Sequence, residues 1–200
     1  MHKTIKLLRD LDRYPVFDLN ILRSAIGKPS AYAKVYLSRL KKAGLVFRIE
    51  RNKYTVHKNA FLVASRILWP SYISLWSALR FYNLTEQIPH AVSVVTSRRI
   101  KKPVLDFLGT KIIFSCIDKK YFWGFKKINY EGFEIFIAEP EKAILDSILL
   151  EKVSEQEILE IIKRNRKEIN FKKLKKLSSE TKSKDVAEKV KNILERAGCK

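Results

Sequence analysis

Acidic residues are scarce in this sequence. Its 200 residues include 41 lysines and arginines against 21 aspartates and glutamates, which gives a formal charge of +20 at pH 7. So basic a surface repels itself and is typical of proteins that bind a polyanion or an anionic surface. The alternative is a lysine-rich or heat-adapted proteome, but there glutamate rises together with lysine. The imbalance therefore favours nucleic acid as the partner.

Cysteine and histidine are also rare. Cys116 and Cys199 lie far apart and indicate neither a disulfide framework nor a zinc motif, so we expect a reducing, cytoplasmic location. The three histidines, His2, His57 and His90, show no metal-ligand or catalytic spacing. Glycine-rich phosphate loops, nucleophile elbows and HExxH motifs are missing as well. We therefore expect no metal, no cofactor and no catalysed reaction.

Long apolar runs are missing too. The stretch from Met1 to Asp10 has no apolar core, and the apolar stretch from Phe61 to Leu79 is interrupted by Arg66 and Pro70. We therefore expect no signal peptide, no transmembrane helix and no membrane partner. The hydrophobic content of 46%, with 11% aromatic residues, is nevertheless enough for packed cores in one large or two small domains.

The basic charge is concentrated at the front of the chain. Residues 1–70 carry a net +11, residues 71–150 carry +3 and residues 151–200 carry +6. Within the first third, Thr4 to Leu11 and Asp18 to Ile26 show helical apolar spacing. Asp18 is a candidate N-cap, Gly27 is a candidate for a left-handed turn, and a third helix begins at Pro29 or Ser30. Helix, short break and helix is the helix-turn-helix spacing.

The third helix has two dissimilar faces. Four positions are predicted to face a core, Ala33, Leu37, Leu40 and Gly44, with Tyr36 at the edge. The opposite face suits the major groove of DNA, where small apolar groups meet thymine methyls and hydroxyls meet base edges. We predict base-reading contacts from Ser30, Ala31, Tyr32, Lys34, Val35 and Ser38. The alternative is a face that is merely hydrated, or whose Tyr32 and Val35 pack on another domain.

A short hairpin follows the third helix. Leu45 to Glu50 and Lys53 to His57 are β-prone, and Asn52 between them tolerates a left-handed turn. Helix followed by hairpin is the order of a recognition helix and its wing, so Gly27 to Val56 predicts a winged helix-turn-helix that binds double-stranded DNA. We predict phosphate contacts, which position a protein on DNA without reading its sequence, from Lys28, Arg39, Lys42, Arg48, Arg51 and Lys53.

The chain after the hairpin predicts an α+β fold with a small, mostly antiparallel sheet. Lys58 to Leu68 is expected to be a connecting helix, and Ser74 is expected to cap a helix from Leu75 to Tyr82. Pro140 opens a further helix that runs to Leu150. The predicted strands are Ala91 to Thr96, Val104 to Leu108, Lys111 to Ile117, Tyr121 to Lys127 and Phe133 to Ala138.

Three amphipathic helices are predicted after Leu150, the first opened by a capping box from Ser154 to Glu157. Their lysine clusters, Lys172-Lys173 and Lys175-Lys176, are either solvated faces or a second phosphate-contacting surface. We therefore expect a winged helix-turn-helix domain in residues 1–68, an α+β domain in residues 69–150, and a helical extension in residues 151–200 that packs on the second domain.

Residues 72–150 resemble the second domain of the AbiEi family, the antitoxins and transcriptional regulators of AbiE-type toxin-antitoxin systems for phage defence by abortive infection. The resemblance is carried by Tyr72 to Leu79, Tyr82, Leu84, Val94 to Thr96, Leu108 to Thr110, Phe122 to Phe125 and Ile137 to Asp146. It implies an autorepressor that binds inverted repeats, possible homodimers on DNA, and neutralisation of a toxin that resembles a nucleotidyltransferase.

Two other functions stay open. One is a host regulator whose second domain binds something other than a toxin. The other is a metal-dependent nuclease, for which Asp106, Glu139, Glu141 and Lys142 would have to converge on a metal and a phosphate. Against the nuclease, we expect Glu141 to cap its helix, Lys142 to pair with Asp146 four residues later, and Asp146 to bond to backbone in the core.

Overall fold

The computed structural model describes residues 2–199, and side chains from Thr4 onward. These residues form a mixed α+β fold. The helices are α1 (His2–Asp12), α2 (Leu19–Ile26), α3 (Ser30–Lys42), α4 (Ala60–Ile67), α5 (Leu75–Phe81), α6 (Pro140–Leu149), α7 (Glu155–Arg164), α8 (Phe171–Glu180) and α9 (Lys184–Arg196). The strands are β1 (Phe47–Glu50), β2 (Lys53–Thr55), β3 (Ser71–Ile73), β4 (Ala91–Thr96), β5 (Val104–Phe107), β6 (Thr110–Cys116), β7 (Phe125–Tyr130) and β8 (Phe133–Ala138). Across this stretch, every helix is too short or too polar to cross a membrane.

A first hydrophobic core joins α1, α2, α3 and the start of the hairpin. Its buried members are Leu7, Leu11, Phe17, Leu22, Leu37, Leu40 and Val46. The predicted N-cap of α2 is confirmed, since the Asp18 carboxylate accepts from the Ile21 amide at 2.9 Å. Gly27 ends α2 with φ of 61°, a conformation that costs glycine little.

The β1–β2 hairpin connects this core to the rest of the chain. Phe17 and Tyr54 exchange two backbone hydrogen bonds of 2.8 Å, which fix the hairpin beside the start of α2. Asn52 has φ of 58°, so its predicted left-handed turn is confirmed, and its side-chain oxygen accepts from the Leu19 amide at 3.2 Å. On the other side, Ile49 of β1 is buried in the second hydrophobic core. The hairpin is thus held from both sides.

The second core is built on a six-stranded sheet with the order β5-β6-β4-β3-β8-β7. Three of its five strand pairings are antiparallel, as expected, but β3 pairs with β8 and β4 with β6 in parallel, so the sheet is mixed. Strand β3 was not predicted, since three buried residues are too short to show alternation. The strand predicted from Tyr121 begins instead at Phe125, after a 3₁₀ turn over Lys119–Tyr121.

Helices α5 to α9 cover the second core. Isoleucines, leucines and valines of α6, α7, α8 and α9 are buried together with residues of β3, β4, β6 and β8. The predicted capping box of α7 is confirmed, because the Glu157 amide donates to the Ser154 hydroxyl and the Glu157 carboxylate accepts from the Ser154 amide at 3.0 Å. Residues after 150 therefore add their apolar faces to this core.

A buried polar cluster crosses the second core. Lys142 and Asp146 have no exposed side-chain surface, and their charged groups lie 2.5 Å apart, which confirms the predicted ion pair. Asp146 also accepts from the hydroxyls of Tyr72 at 3.0 Å and Ser74 at 2.7 Å. The expectation that Asp146 bonds to backbone is therefore wrong. Burial raises the pKa of Asp146, against Lys142 and the two hydroxyls, which lower it.

The same polar cluster accounts for the roles of Ser74 and Gly124. Ser74 occupies the N-cap position of α5, but its hydroxyl makes no capping bond there because it donates to Asp146. A Cβ on Gly124 would lie 3.0 Å from the Lys142 side chain, so the absence of a side chain there leaves room for the buried lysine. The Lys142 ammonium also lies 4.8 Å from the centre of the Trp123 ring. Three segments distant in sequence, Tyr72 to Leu79, Phe122 to Phe125 and Ile137 to Asp146, thus meet around one buried ion pair.

Candidate nucleic-acid interface

The outward face of α3 is exposed along its length. Ala33, Leu37 and Leu40 are buried on the inner side as predicted, whereas Tyr32 is 49% and Val35 is 53% exposed. The prediction that Gly44 also faces the core is wrong, because α3 ends at Lys42 and Gly44 is exposed. The other predicted base-reading residues, Ala31, Lys34 and Ser38, are exposed, and Ser30 is half-buried at the first turn. Tyr32 and Val35 do not pack on the second core, which removes one of the alternatives for this face.

Aromatic stacking fixes the shape of this face. The rings of Tyr32 and Tyr36 are stacked, with centroids 6.1 Å apart and an interplanar angle of 13°. The Tyr36 hydroxyl lies 3.1 Å from the Thr4 hydroxyl of α1, which holds the second ring in place. The result is a shallow depression of about 360 Å³, hereafter the α3 depression, lined by Ala31, Tyr32, Val35, Tyr36 and Arg39.

Tyr36 is the residue of this surface that the sequence did not assign. It was placed at the edge of the core, and the structure shows that it is half-buried and lines the α3 depression. Its spacing of four residues from Tyr32 is the signal that indicates a pair of stacked rings on one helix face. Its hydroxyl also contacts the hydroxyl of Thr4, which lies 32 residues away, so no local pattern in the sequence predicts this contact.

Basic residues are frequent in the chain on either side of the α3 depression, and Arg39 lines it. Residues 19–49 contain seven lysines and arginines and no acidic residue. The five exposed side chains predicted to bind phosphate are Lys28, Arg39, Lys42, Arg48 and Arg51. Throughout the part of the chain that the structure describes, none of these five forms a salt bridge. Their positive charge is therefore directed to solvent without local neutralisation.

Lys53 differs from the other predicted phosphate contacts. Its ammonium lies 2.7 Å from the Glu50 carboxylate and donates to the Ile67 carbonyl at 2.5 Å. Arg48 makes one weaker contact, from its Nε to the Glu50 carbonyl at 3.3 Å, and its side chain stays exposed. We therefore leave Lys53 out of the phosphate-binding set, because its charge is already engaged inside the protein.

Several lysines of the C-terminal helices are paired with acids. Lys173 lies 3.0 Å from Glu139 and 3.3 Å from Glu141, and these carboxylates raise the pKa of Lys173 although burial opposes them. Lys189 is paired with Asp185 at 3.0 Å. The proximity of acids weakens the potential of this surface toward a polyanion. Lys172 and Lys175 are exposed and lie outside these pairs.

The residues of the nuclease alternative do not come together. Asp106 lies on β5, and Glu139 follows β8, four strands away, which corresponds to roughly 19 Å at the usual strand spacing. Glu141 is buried and accepts from the Asn170 amide at 2.9 Å, so it joins α6 to the start of α8. The N-cap residue of α6 is Glu139, and no side chain caps the helix there, so the expectation that Glu141 caps its helix is wrong. Among residues 2–199, no three histidine, cysteine or acidic side chains are grouped so that they could hold a metal ion.

Comparison with protein-family models and with curated protein sequences found no match for the chain.

Proposed function

We propose that this protein is a sequence-specific transcriptional regulator that binds double-stranded DNA through a winged helix-turn-helix in its first 68 residues. The observation that carries the proposal is the outward face of α3, where exposed apolar and hydroxyl groups are surrounded by basic side chains without acidic partners. Exposed apolar groups are not stabilised by contact with water. DNA can bind all three kinds of group, because its phosphates pair with the basic side chains and its base edges contact the apolar and hydroxyl groups. The mixed α+β fold of the described residues is compatible with this arrangement.

In this proposal α3 enters the major groove, and the hairpin lies along the sugar-phosphate backbone. Arg39 and Lys42 at the C-terminal half of α3, with Arg48 and Arg51 of the hairpin, contact phosphates and set the orientation of the helix. The hairpin is suited to this role because Phe17 and Asn52 tie it to α2. A fixed hairpin removes the cost of ordering the backbone that carries its arginines, so only their side chains are ordered on binding.

The experiment that tests the proposal compares two pairs of lysine and arginine variants. Arg39→Ala and Lys42→Ala should weaken binding to every duplex and reduce the slope of log K against log salt by about 0.9 for each lost phosphate contact. Lys172→Ala and Lys175→Ala are the matched controls, since they remove exposed positive charge from α8. Unchanged affinity and slope in the α3 variants, or equal losses in the controls, would contradict the assignment of this face.

The regulatory role is proposed from the resemblance to the AbiEi family. It includes a cytoplasmic location, repression of the protein's own operon through an inverted-repeat operator, possible homodimers on that DNA, and neutralisation of a toxin that resembles a nucleotidyltransferase. Co-expression with an adjacent gene of that class should restore growth to cells that express the toxin alone. Growth arrest that persists while both proteins are produced would favour the alternative of a regulator with another partner.

A further inference from the structure

The α3 depression has an apolar interior and a basic rim. Val35 and Ala31 contribute its aliphatic surface, the stacked rings of Tyr32 and Tyr36 form one side, and Arg39 lies at its edge. A cavity of this composition accepts a small apolar group that projects from a negatively charged molecule. We infer, on the basis of the proposed DNA-binding function, that the α3 depression receives the 5-methyl group of a thymine, so that a T·A pair is required at that place in the binding site.

Thymine is the base that fits this description. In the major groove it alone among the four common bases presents a methyl group, and small apolar side chains are its usual contacts. The exposed surface of Val35 and Tyr32 is removed from water only if an apolar group covers it, and burial of one methyl group gives a favourable contribution. Hydrogen-bonding groups of a G·C pair at the same place would instead lie against aliphatic carbon without a partner.

Charge identifies the molecule that carries the methyl group as DNA. The rim of the α3 depression and its surroundings hold Lys28, Lys34, Arg39 and Lys42, all exposed. The acid-free stretch of residues 19–49 covers the whole of this surface. A charge arrangement of this kind complements the phosphate backbone on both sides of a major groove.

The α3 depression is formed before any ligand binds. Tyr36 is fixed by its contact with Thr4, and Tyr32 is stacked on Tyr36. Little side-chain entropy is then lost when the methyl group enters, and such preorganisation increases the share of the contact energy that appears as affinity.

The inference is tested by removal of single methyl groups from the DNA. A binding duplex is first selected from a random pool by repeated rounds of binding to the full chain. Each thymine of that duplex is then replaced by deoxyuridine, one at a time, which deletes the methyl group and keeps the base pair. We expect one or two thymines in each half-site at which the replacement weakens binding about three- to fivefold, while the other replacements change affinity by less than about twofold.

Variants assign the effect to the α3 depression. Val35→Ala should abolish the difference between thymine and uracil at the sensitive positions, as a double-mutant cycle would report for groups in contact. Val104→Ala is the matched control, because Val104 is 51% exposed but lies on β5, at the edge of the six-stranded sheet. Val104→Ala and Lys42→Ala should both keep the full difference. Each variant is checked for folding by its thermal unfolding curve.

Three results would overturn the inference: no thymine sensitive to the replacement, a sensitive thymine that is equally sensitive in Val35→Ala, or tight binding without any enriched sequence. The first two leave the proposed function intact, whereas the third also contradicts its sequence specificity and leaves only DNA binding. Failure of the full chain to bind any duplex at low salt would overturn the proposed function as well.

Discussion

Helices α3 and α6 belong to different cores of the same chain and place lysine in opposite environments. On α3, Lys34 and Lys42 are exposed, and an acid-free stretch of sequence surrounds them. On α6, Lys142 has no exposed surface, and its charge is matched by Asp146 four residues later. Lys173 of α8 and Lys189 of α9 share with Lys142 only their pairing with carboxylates, whereas Lys172 and Lys175 of α8 are exposed and outside these pairs.

This difference shows why the net charge alone does not locate a binding surface. A charge of +20 is a sum over the chain, but a polyanion responds to the local potential, which is highest where acids are missing. Paired surface lysines contribute little to stability and little to that potential. The first region therefore holds charge that is available to a partner, and the second holds charge that organises the fold.

The largest expected effect is on stability and separates the two lysines directly. Lys142→Ala leaves the buried Asp146 carboxylate with only two hydroxyl donors, and we expect a loss of about 3–5 kcal/mol in the free energy of unfolding. Lys42→Ala is the matched control on α3 and should change stability by less than about 0.5 kcal/mol. Urea unfolding measures the free energy of unfolding of both variants.

A second variant keeps this test informative if Lys142→Ala does not fold. Lys142→Met combined with Asp146→Leu removes both charges and should be less destabilised than the single change, because no uncompensated charge is left in the core. Lys142→Ala removes the charge that lowers the pKa of Asp146 and leaves burial, which raises it, opposed only by the two hydroxyls. The loss of stability in this variant should therefore grow as the pH rises above about 4, the ordinary pKa of an unfolded aspartate. Equal stability of Lys142→Ala and Lys42→Ala would contradict the distinction between the two regions.

Local sequence signals predicted much of the first region. The Asp18 cap, the turn at Gly27 and the buried face of α3 all depend on residues within one or two helical turns of each other. The second region was predicted less well because its decisive contacts are distant in sequence. Tyr72 and Asp146 are 74 positions apart, and no periodicity in the sequence predicts the hydrogen bond between them.

The same reasoning explains the outcome for the candidate site. Exposure of Tyr32 and Val35 follows from helical periodicity and could be predicted from the sequence. The hydrogen bond that the Lys53 ammonium donates to the Ile67 carbonyl could not be predicted, because Ile67 lies in another element of the structure. Its neighbour Asn52 was placed correctly because left-handed backbone is a local preference of asparagine.

The next expected effect concerns the hairpin that joins the two regions. Asn52→Ala loses both the hydrogen bond to the Leu19 amide and the tolerance of a positive φ, and should cost about 1–3 kcal/mol. Asn52→Gly keeps the backbone conformation and loses only the hydrogen bond, so its cost should be smaller. Thermal unfolding of the two variants gives the order. If glycine is as costly as alanine, the left-handed turn is not what asparagine contributes here.

The smallest expected effect contrasts two tyrosines of the second core. The Tyr82 hydroxyl oxygen is buried and has no hydrogen-bond partner among residues 2–199, whereas the Tyr72 hydroxyl donates to Asp146 at 3.0 Å. Tyr82→Phe should therefore change stability at pH 7 by less than about 1 kcal/mol, with either sign, while Tyr72→Phe destabilises.

Alkaline pH should then distinguish Tyr82 further. Burial, with the nearby charges of Glu139 and Glu141, raises the pKa of Tyr82 from 10.0 to about 12. Between these values the folded protein keeps a proton that the unfolded chain has lost, so the wild type loses stability as the pH rises through this range. Phenylalanine has no proton to lose. Tyr82→Phe should therefore gain stability relative to the wild type in urea unfolding as the pH rises above 10. A difference that stays constant from pH 8 to pH 11 would show that the Tyr82 phenol is not shielded from water by the second core.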